Sequence, residues 1–160
     1  DILTGIYNRV FFETELARIE HSREFPVSII IADVDYLKAA NDTLGHATGD
    51  ELIRHAANVL RSVFREGEVV ARIGGDEFAV LLPSTDSAST EKMLARVQER
   101  LAKHNAEHPD LPPVLFSLGT ATAEKNNLAE AFTLADQRMY ANKAARKAQA
   151  KIEVHDADTN

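Results

Sequence analysis

Val69-Val70-Ala71-Arg72-Ile73-Gly74-Gly75-Asp76-Glu77-Phe78-Ala79-Val80-Leu81-Leu82 reads as two apolar, β-prone runs joined by a turn that holds two glycines and two carboxylates. The glycines are expected to allow a tight turn at positive φ and to keep side chains out of a ligand's way. Asp76 and Glu77, adjacent at a hairpin tip, repel each other unless a cation neutralises them. Taken alone, a surface Gly-Asp turn is the simpler reading. A second carboxylate cluster shifts the balance. Val27-Ser28-Ile29-Ile30-Ile31-Ala32 is a short apolar run suited to a central strand, and it ends in Asp33-Val34-Asp35. A carboxylate at the end of a buried strand is costly unless it is paired or metal-bound. Asp33, Asp35, Asp76 and Glu77 therefore form a candidate hard-oxygen site for Mg²⁺ or Mn²⁺, of the kind that also holds substrate phosphates. Asp33 by itself would serve equally well as a helix cap.

Around these segments the pattern alternates between helix and strand. A helix is expected from roughly Asn8 to Arg23, ending before Pro26. The strand at 27–34 follows. Thr48 and Glu51 make a capping-box pattern that opens a helix, with Leu52, Ala56, Leu60 and Phe64 at helical spacing. The hairpin strands fall at 69–73 and 77–83. Another helix runs from about Ser87 and fades before Pro109, carrying Leu94, Val97 and Leu101 inward. A strand is expected from Val114 to Thr122 and a last helix from near Asn127, with Glu130 completing a capping pattern and Leu128, Phe132, Ala135 and Met139 turned inward. Ile152 to His155 reads as a further edge strand. The alternation predicts an α/β domain, a mixed sheet covered by helices, in a single unit over 1–160.

Bulk properties bound the function. The chain of 160 residues suffices for one domain with a sizeable core, at 44% hydrophobic and 27% charged residues. With no cysteine, disulfides and thiolate metal sites are excluded. No apolar stretch reaches membrane-spanning length. A net charge of −7 argues against a nucleic-acid surface, though not against nucleotides held by cations and a few lysines. His104-Asn105-Ala106-Glu107-His108 matches a zinc-peptidase string, but it sits at a helix end with no evident third ligand and reads as a solvated polar terminus. Asn41-Asp42-Thr43 matches a glycosylation sequon and is set aside for want of a secretory signal.

Five ordered motifs resemble the GGDEF domains, the diguanylate cyclases. They are Asp1-Ile2-Leu3-Thr4-Gly5 with Asn8-Arg9; Asp33 to Asp42 followed by Gly45-His46-Ala47-Thr48-Gly49-Asp50; Gly74-Gly75-Asp76-Glu77-Phe78; Ser117-Leu118-Gly119; and Ala135 to Lys143. The resemblance covers nearly the whole chain. It implies a nucleotidyl-cyclase palm, a five-stranded sheet of ferredoxin-like descent, and condensation of two GTP into cyclic di-GMP with release of two pyrophosphates. It also implies Mg²⁺ or Mn²⁺, two per active site, and a homodimer for catalysis. The chain opens on the entry motif without a Met, so it is expected to be a fragment of a longer protein with an upstream sensor or dimerising domain. A cytoplasmic location is expected, with any membrane anchor in an N-terminal part.

Residue by residue, the resemblance assigns metal contacts to Asp33, the Val34 carbonyl and Asp76. Glu77 follows as a further ligand or catalytic carboxylate, and Asp35 is expected to orient the loop. Backbone N–H groups of Tyr36 and Leu37 would face the β- and γ-phosphates, with Lys38 adding charge. Asn41 and Asp50 match the positions that read guanine, whose N1–H and amine suit a carboxylate acceptor. Each has a plainer reading, Asn41-Asp42 as a turn and Asp50 as first-turn helix charge. Lys143 matches a triphosphate-binding lysine. The family usually continues with Gly then Arg, where this chain has Arg146 and Lys147, so the contact keeps its charge at Lys147 and loses the bidentate fork. Arg65-Glu66-Gly67-Glu68 stands where many members carry Arg-x-x-Asp, an inhibitory product site; a helix end capped by Gly67 is an equal reading. The competing class is a non-catalytic module that binds GTP or cyclic di-GMP and signals through a partner; a cyclase making a mixed or adenine-containing dinucleotide is a second alternative.

Overall fold

The computed structural model describes residues 1–159. In chain order the elements are β1 (Tyr7–Asn8), α1 (Arg9–Glu20), β2 (Val27–Val34), α2 (Leu37–Leu44), α3 (His46–Val63), β3 (Val69–Arg72), β4 (Glu77–Leu82), α4 (Ser87–Glu107), β5 (Phe116–Ala123) and α5 (Leu128–Asp158). The strands form one mixed sheet in the order β1-β3-β4-β2-β5. β1 pairs parallel with β3, and every other pairing is antiparallel.

β2 is buried along its whole length because both faces of the sheet are covered. Its even-numbered residues, Ile30, Ala32 and Val34, pack with Leu52, Ile53, Ala56 and Leu60 of α3 and with Val97 and Leu101 of α4. Its odd-numbered residues, Ile29 and Ile31, pack with Phe12 and Ile19 of α1 and with Leu128, Ala135 and Met139 of α5. The two-residue period of a strand thus sorts one apolar run into two cores. The period also decides where the acidic pair goes. Asp33 and Asp35 continue the odd series and face α5.

α5 lies close against β5. A Cβ on Gly119 would overlap the backbone carbonyl of Ala135 and the amide of Met139, so only glycine lets helix and strand approach this far. α5 also closes the sheet edge: Asn142 Oδ1 accepts from Leu118 N at 2.9 Å, and Arg138 Nη1 donates to Thr120 O at 2.8 Å. Side chains from a helix thereby occupy backbone groups that an edge strand would otherwise leave open.

Several local expectations are corrected. The segment Ile152 to His155 is not an edge strand; α5 continues through it to Asp158. The first helix stops at Glu20, short of Arg23, and Asn8 is its cap, accepting from Phe11 N at 2.9 Å. The strand β1 is too short for any periodicity to reveal. The Thr48–Glu51 capping box does not form, because α3 starts two residues earlier, after Gly45 at φ 93°, and Thr48 instead lies inside the helix with its hydroxyl toward Leu44 O. Nor does Asn127 cap α5 with its side chain. Glu20 reaches from α1 to accept from Asn127 N and Leu128 N, both at 2.9 Å. That carboxylate also suits the positive end of the helix dipole.

Candidate active site

The site is built where the β2 and β4 ends meet α5. Antiparallel pairing sets Asp33 directly opposite Glu77, and Val34 N donates to Asp76 O at 2.9 Å. Register alone therefore joins the two carboxylate clusters. The hairpin turn is held by Ile73 N on Glu77 O at 2.9 Å and by Arg72, whose Nη2 donates to Gly75 O at 2.7 Å. Neither Gly74 nor Gly75 adopts a positive φ, against expectation. Their use is clearance: a Cβ on Gly74 would stand 3.1 Å from the Glu77 carboxylate, and one on Gly75 would meet open space.

α5 supplies cations in matching order. Residues three apart share a helix face, and residues two apart share a strand face. Lys143 and Arg146 accordingly meet Asp33 and Asp35: Lys143 Nζ lies 2.9 Å from Asp33 Oδ1, and Arg146 Nε lies 2.8 Å from Asp35 Oδ2. Both carboxylates are buried, Asp33 at 4% and Asp35 at 9% exposure. Ser117 Oγ donates to the other Asp35 oxygen at 2.5 Å.

The electrostatics are those of a site short of positive charge. Burial raises the Asp33 pKa and the nearby Asp76 carboxylate raises it further, although the Lys143 hydrogen bond pulls the other way. Glu77 is raised by burial, then by Asp136, Asp33 and Asp76. Burial lowers the Lys143 ammonium, but Asp33, Asp76 and Asp35 outweigh it and the net shift is upward. A divalent cation suits this donor set. Among the described residues no three His, Cys, Asp or Glu side chains converge as a ready metal cage. Magnesium is ordinarily held by one or two carboxylates with waters and substrate phosphates completing the shell, so Asp33, Asp76 and the Val34 carbonyl fit it.

Beside the carboxylates a cleft of about 340 Å³ is lined by Val34, Tyr36, Leu37, Lys38, Ala39, Asp42, Asp76, Lys143 and Lys147. The metal, phosphate and lysine candidates thus converge on one space. Tyr36 turns the chain into α2 with φ 60° and ψ 19°, left-handed values that a bulky residue rarely holds. The first turn of α2 then borders the cleft with free N–H groups. Asn41 and Asp50 do not line it. Asn41 belongs to α2 and not to a turn, and its amide lies so close to Gly49 of α3 that any Cβ there would overlap it. Asp50 is exposed beside Gly49. Gly49 is a residue that sequence reasoning passed over; its place between Asn41 in space and Asp50 in sequence was the available signal.

Arg65 and Glu68 lie at the other end of β3, on a separate cavity of about 410 Å³ that also touches Gly5, Tyr7 and Arg61. α3 ends at Val63, so Gly67 does not cap it. Gly67 instead occupies a turn at φ 95°, closed by Glu68 N on Arg65 O at 3.0 Å. The Glu68 carboxylate accepts from Arg65 N at 2.9 Å. The His104–His108 string is not a solvated terminus either. His55 Nδ1 and His104 Nε2 are 3.0 Å apart and His108 stacks on His104, so both lie half-buried between α3 and α4. Burial lowers the pKa values of His55 and His104, and neighbouring imidazoles add to this.

A mixed five-stranded sheet with paired acidic strand ends beside a lysine-lined cleft of about 340 Å³ defines a class of nucleotide-handling domain. The family model "Diguanylate cyclase, GGDEF domain" matches residues 1–149. The probable diguanylate cyclase DgcT of Escherichia coli (strain K12) is 33% identical over 98% of this chain and 35% of that protein. Diguanylate cyclase DgcP of Pseudomonas aeruginosa is 34% identical over 96% of the chain and 23% of that protein. Among solved structures, the GGDEF domain of DgcB from Caulobacter crescentus in complex with c-di-GMP superposes with a TM-score of 0.82 at 29% identity, covering 91% of this chain and 90% of that one. Diguanylate cyclase SiaD of Pseudomonas aeruginosa, in complex with its activator SiaC, gives 0.80 at 26%, covering 91% and 58%. The chain belongs to the GGDEF family of diguanylate cyclases. It spans about a third or less of the length of the two curated relatives above.

Proposed function

We propose that this domain condenses two GTP molecules into cyclic di-GMP and two pyrophosphates. The observation that carries the reading is the register that sets Asp33 against Glu77, with Asp76 beside them and Lys143 above, at the wall of a cleft bordered by the α2 N-terminus. In the reaction each 3′-hydroxyl attacks the partner's α-phosphate. Two phosphodiester bonds form, two anhydride bonds break, and two protons and two pyrophosphates leave. Mg²⁺ or Mn²⁺, when bound, neutralises phosphate charge and lowers the pKa of the attacking hydroxyl.

Asp33, Asp76 and the Val34 carbonyl would hold the metal, with two ions per site as the family implies. Glu77 stands ready as a further ligand or proton acceptor, its carboxyl raised above the ordinary value by burial and by Asp136, Asp33 and Asp76. The N–H groups of Tyr36 and Leu37 receive β- and γ-phosphate oxygens at the positive end of α2. Lys38, Lys143 and Lys147 add charge around them. Lys143 holds Asp33 in the free domain, so an incoming phosphate competes for it with the carboxylate. Asn41 and Asp50 read the guanine edge. One such site presents one nucleotide, so a two-fold dimer must bring two sites face to face. An upstream sensor or dimerising domain would then control turnover. Arg65 and Glu68 form a weakened product site, because Glu68 is engaged with its own turn.

Incubation of the purified domain with GTP and Mg²⁺, and with GTP plus ATP, followed by mass spectrometry, tests this. Cyclic di-GMP as sole product is expected, at a specific activity that rises with protein concentration. Nucleotide binding without turnover would instead make the domain a receptor module, and a mixed product would overturn the guanine assignment.

A further inference from the structure

We propose that Arg146 is a positioning residue that acts through Asp35 to hold the phosphate-facing loop in its working shape. The Asp35 carboxylate is fastened on both oxygens: Arg146 Nε at 2.8 Å on one, Ser117 Oγ at 2.5 Å on the other. Its amide donates to Leu115 O at 2.8 Å. The next residue is Tyr36, held at φ 60°. A bulky side chain persists in that region only when its surroundings impose it. From Tyr36 the chain enters α2, whose first turn borders the cleft. The clamp on Asp35 therefore sets the direction in which the Tyr36 and Leu37 N–H groups point.

Arg146 itself is absent from the cleft lining, while its neighbour Lys147 is present. The two cations divide the work: Lys147 faces the ligand, and Arg146 faces the protein. Arg146 stands where the family usually has glycine, so this chain adds a cross-element tie at that point. Truncating it leaves a buried carboxylate with only the Ser117 hydroxyl among the side-chain partners described. The guanidinium is about a third exposed, so the tie is moderate rather than dominant.

The substrate side of this inference rests on the cyclase reading above; the clamp does not. The experiment separates them. Amide hydrogen exchange is followed over residues 34–44 in the nucleotide-free domain, for wild type, Arg146→Ala and Arg146→Lys. Exchange is expected to quicken about 10-fold in Arg146→Ala and to recover in part in Arg146→Lys, with residues 52–60 unchanged. KM for GTP should rise by a similar factor, with kcat changing less. In Asp35→Asn, adding Arg146→Ala should have little further effect; if Asp35→Asn does not fold, Ser117→Ala alone should quicken exchange over the same residues, because it frees the other Asp35 oxygen. Unchanged exchange at 34–44, an equal rise across the whole domain, or additive effects in the double variant would each overturn the clamp. A wild type that binds no GTP would sink the cyclase reading and leave the clamp to be decided by exchange alone.

Discussion

At one end of β3 the chain buries its charges and pairs them across elements; at the other it leaves them in solvent and turns them on its own backbone. Asp33 and Asp35 meet Lys143 and Arg146, partners more than a hundred residues away, at 2.9 and 2.8 Å. Glu68 meets Arg65 N, three residues away, at 2.9 Å. The first arrangement exists only when the whole fold is formed, so its geometry is fixed in advance of any ligand. The second is a local turn whose carboxylate must be released before it can serve anything else. Charged residues thus amount to a preorganised site in one place and an adaptable one in the other.

That contrast can be broken most decisively at the acidic end. Asp76→Asn or Asp33→Asn should cut GTP turnover by roughly 1,000-fold while circular dichroism stays native, since each removes a charge from a site that must offset phosphate. Turnover near the wild-type rate in either variant would show that the buried pairs are structural. A smaller effect is expected from Gly49→Ala. The added methyl displaces the Asn41 amide, so KM for GTP should rise about 10-fold, while the melting temperature holds because Ala favours a helix over Gly by about 1 kcal/mol. An unchanged KM would remove Asn41 from the guanine pocket.

At the other end of β3 the expected change is smaller again. Arg65→Ala should weaken cyclic di-GMP binding by about 3- to 10-fold in calorimetry, as an exposed cation contributes modestly. Identical isotherms would make this corner a turn and nothing more. The smallest effect concerns pH in the metal-free domain. Asp33 and Glu77 have raised folded pKa values, so their share of stability is present below the ordinary values of 3.8 and 4.5 and is lost as pH rises through the folded ones. His55 and His104 are lowered, so their share is present above 6.5 and is lost as pH falls. The two clusters thus respond to acidification with opposite signs. A His104→Gln variant should therefore gain a few degrees on acidification where the wild type gains less, read by thermal melts in the absence of divalent ions. Parallel pH curves for the two proteins would remove the histidines from the balance.

The sheet was legible because β2 and the hairpin flanks are continuous apolar runs with clear ends. The acidic clusters were legible because carboxylates after such runs have few bland explanations. Other features depended on contacts that a linear reading does not contain. Glu20 caps α5 across 107 positions, so no motif near Asn127 announces it. Residues 152–155 are β-prone in composition, yet helix propagation from a long, well-anchored α5 prevails. The Thr48 pattern does not cap, because Gly45 lets α3 start earlier and leaves Thr48 inside the helix. The histidine string looked solvated because its third member, His55, lies 49 positions upstream of His104. Arg146 was ambiguous in sequence for a similar reason: its role depends on which face of α5 meets β2.

α5 is also a phase-locked element. Its backbone is pressed onto Gly119 at Ala135 and Met139, and it carries Lys143 about one turn further on and Arg146 and Lys147 about two. One residue added between Met139 and Lys143 would rotate everything beyond it by about 100° and carry the cations away from the β2 carboxylates. Four added residues would bring them nearly back into angle but one turn too far along the axis. Substitutions along this helix can be absorbed one at a time, whereas a change of length between contact and cation cannot.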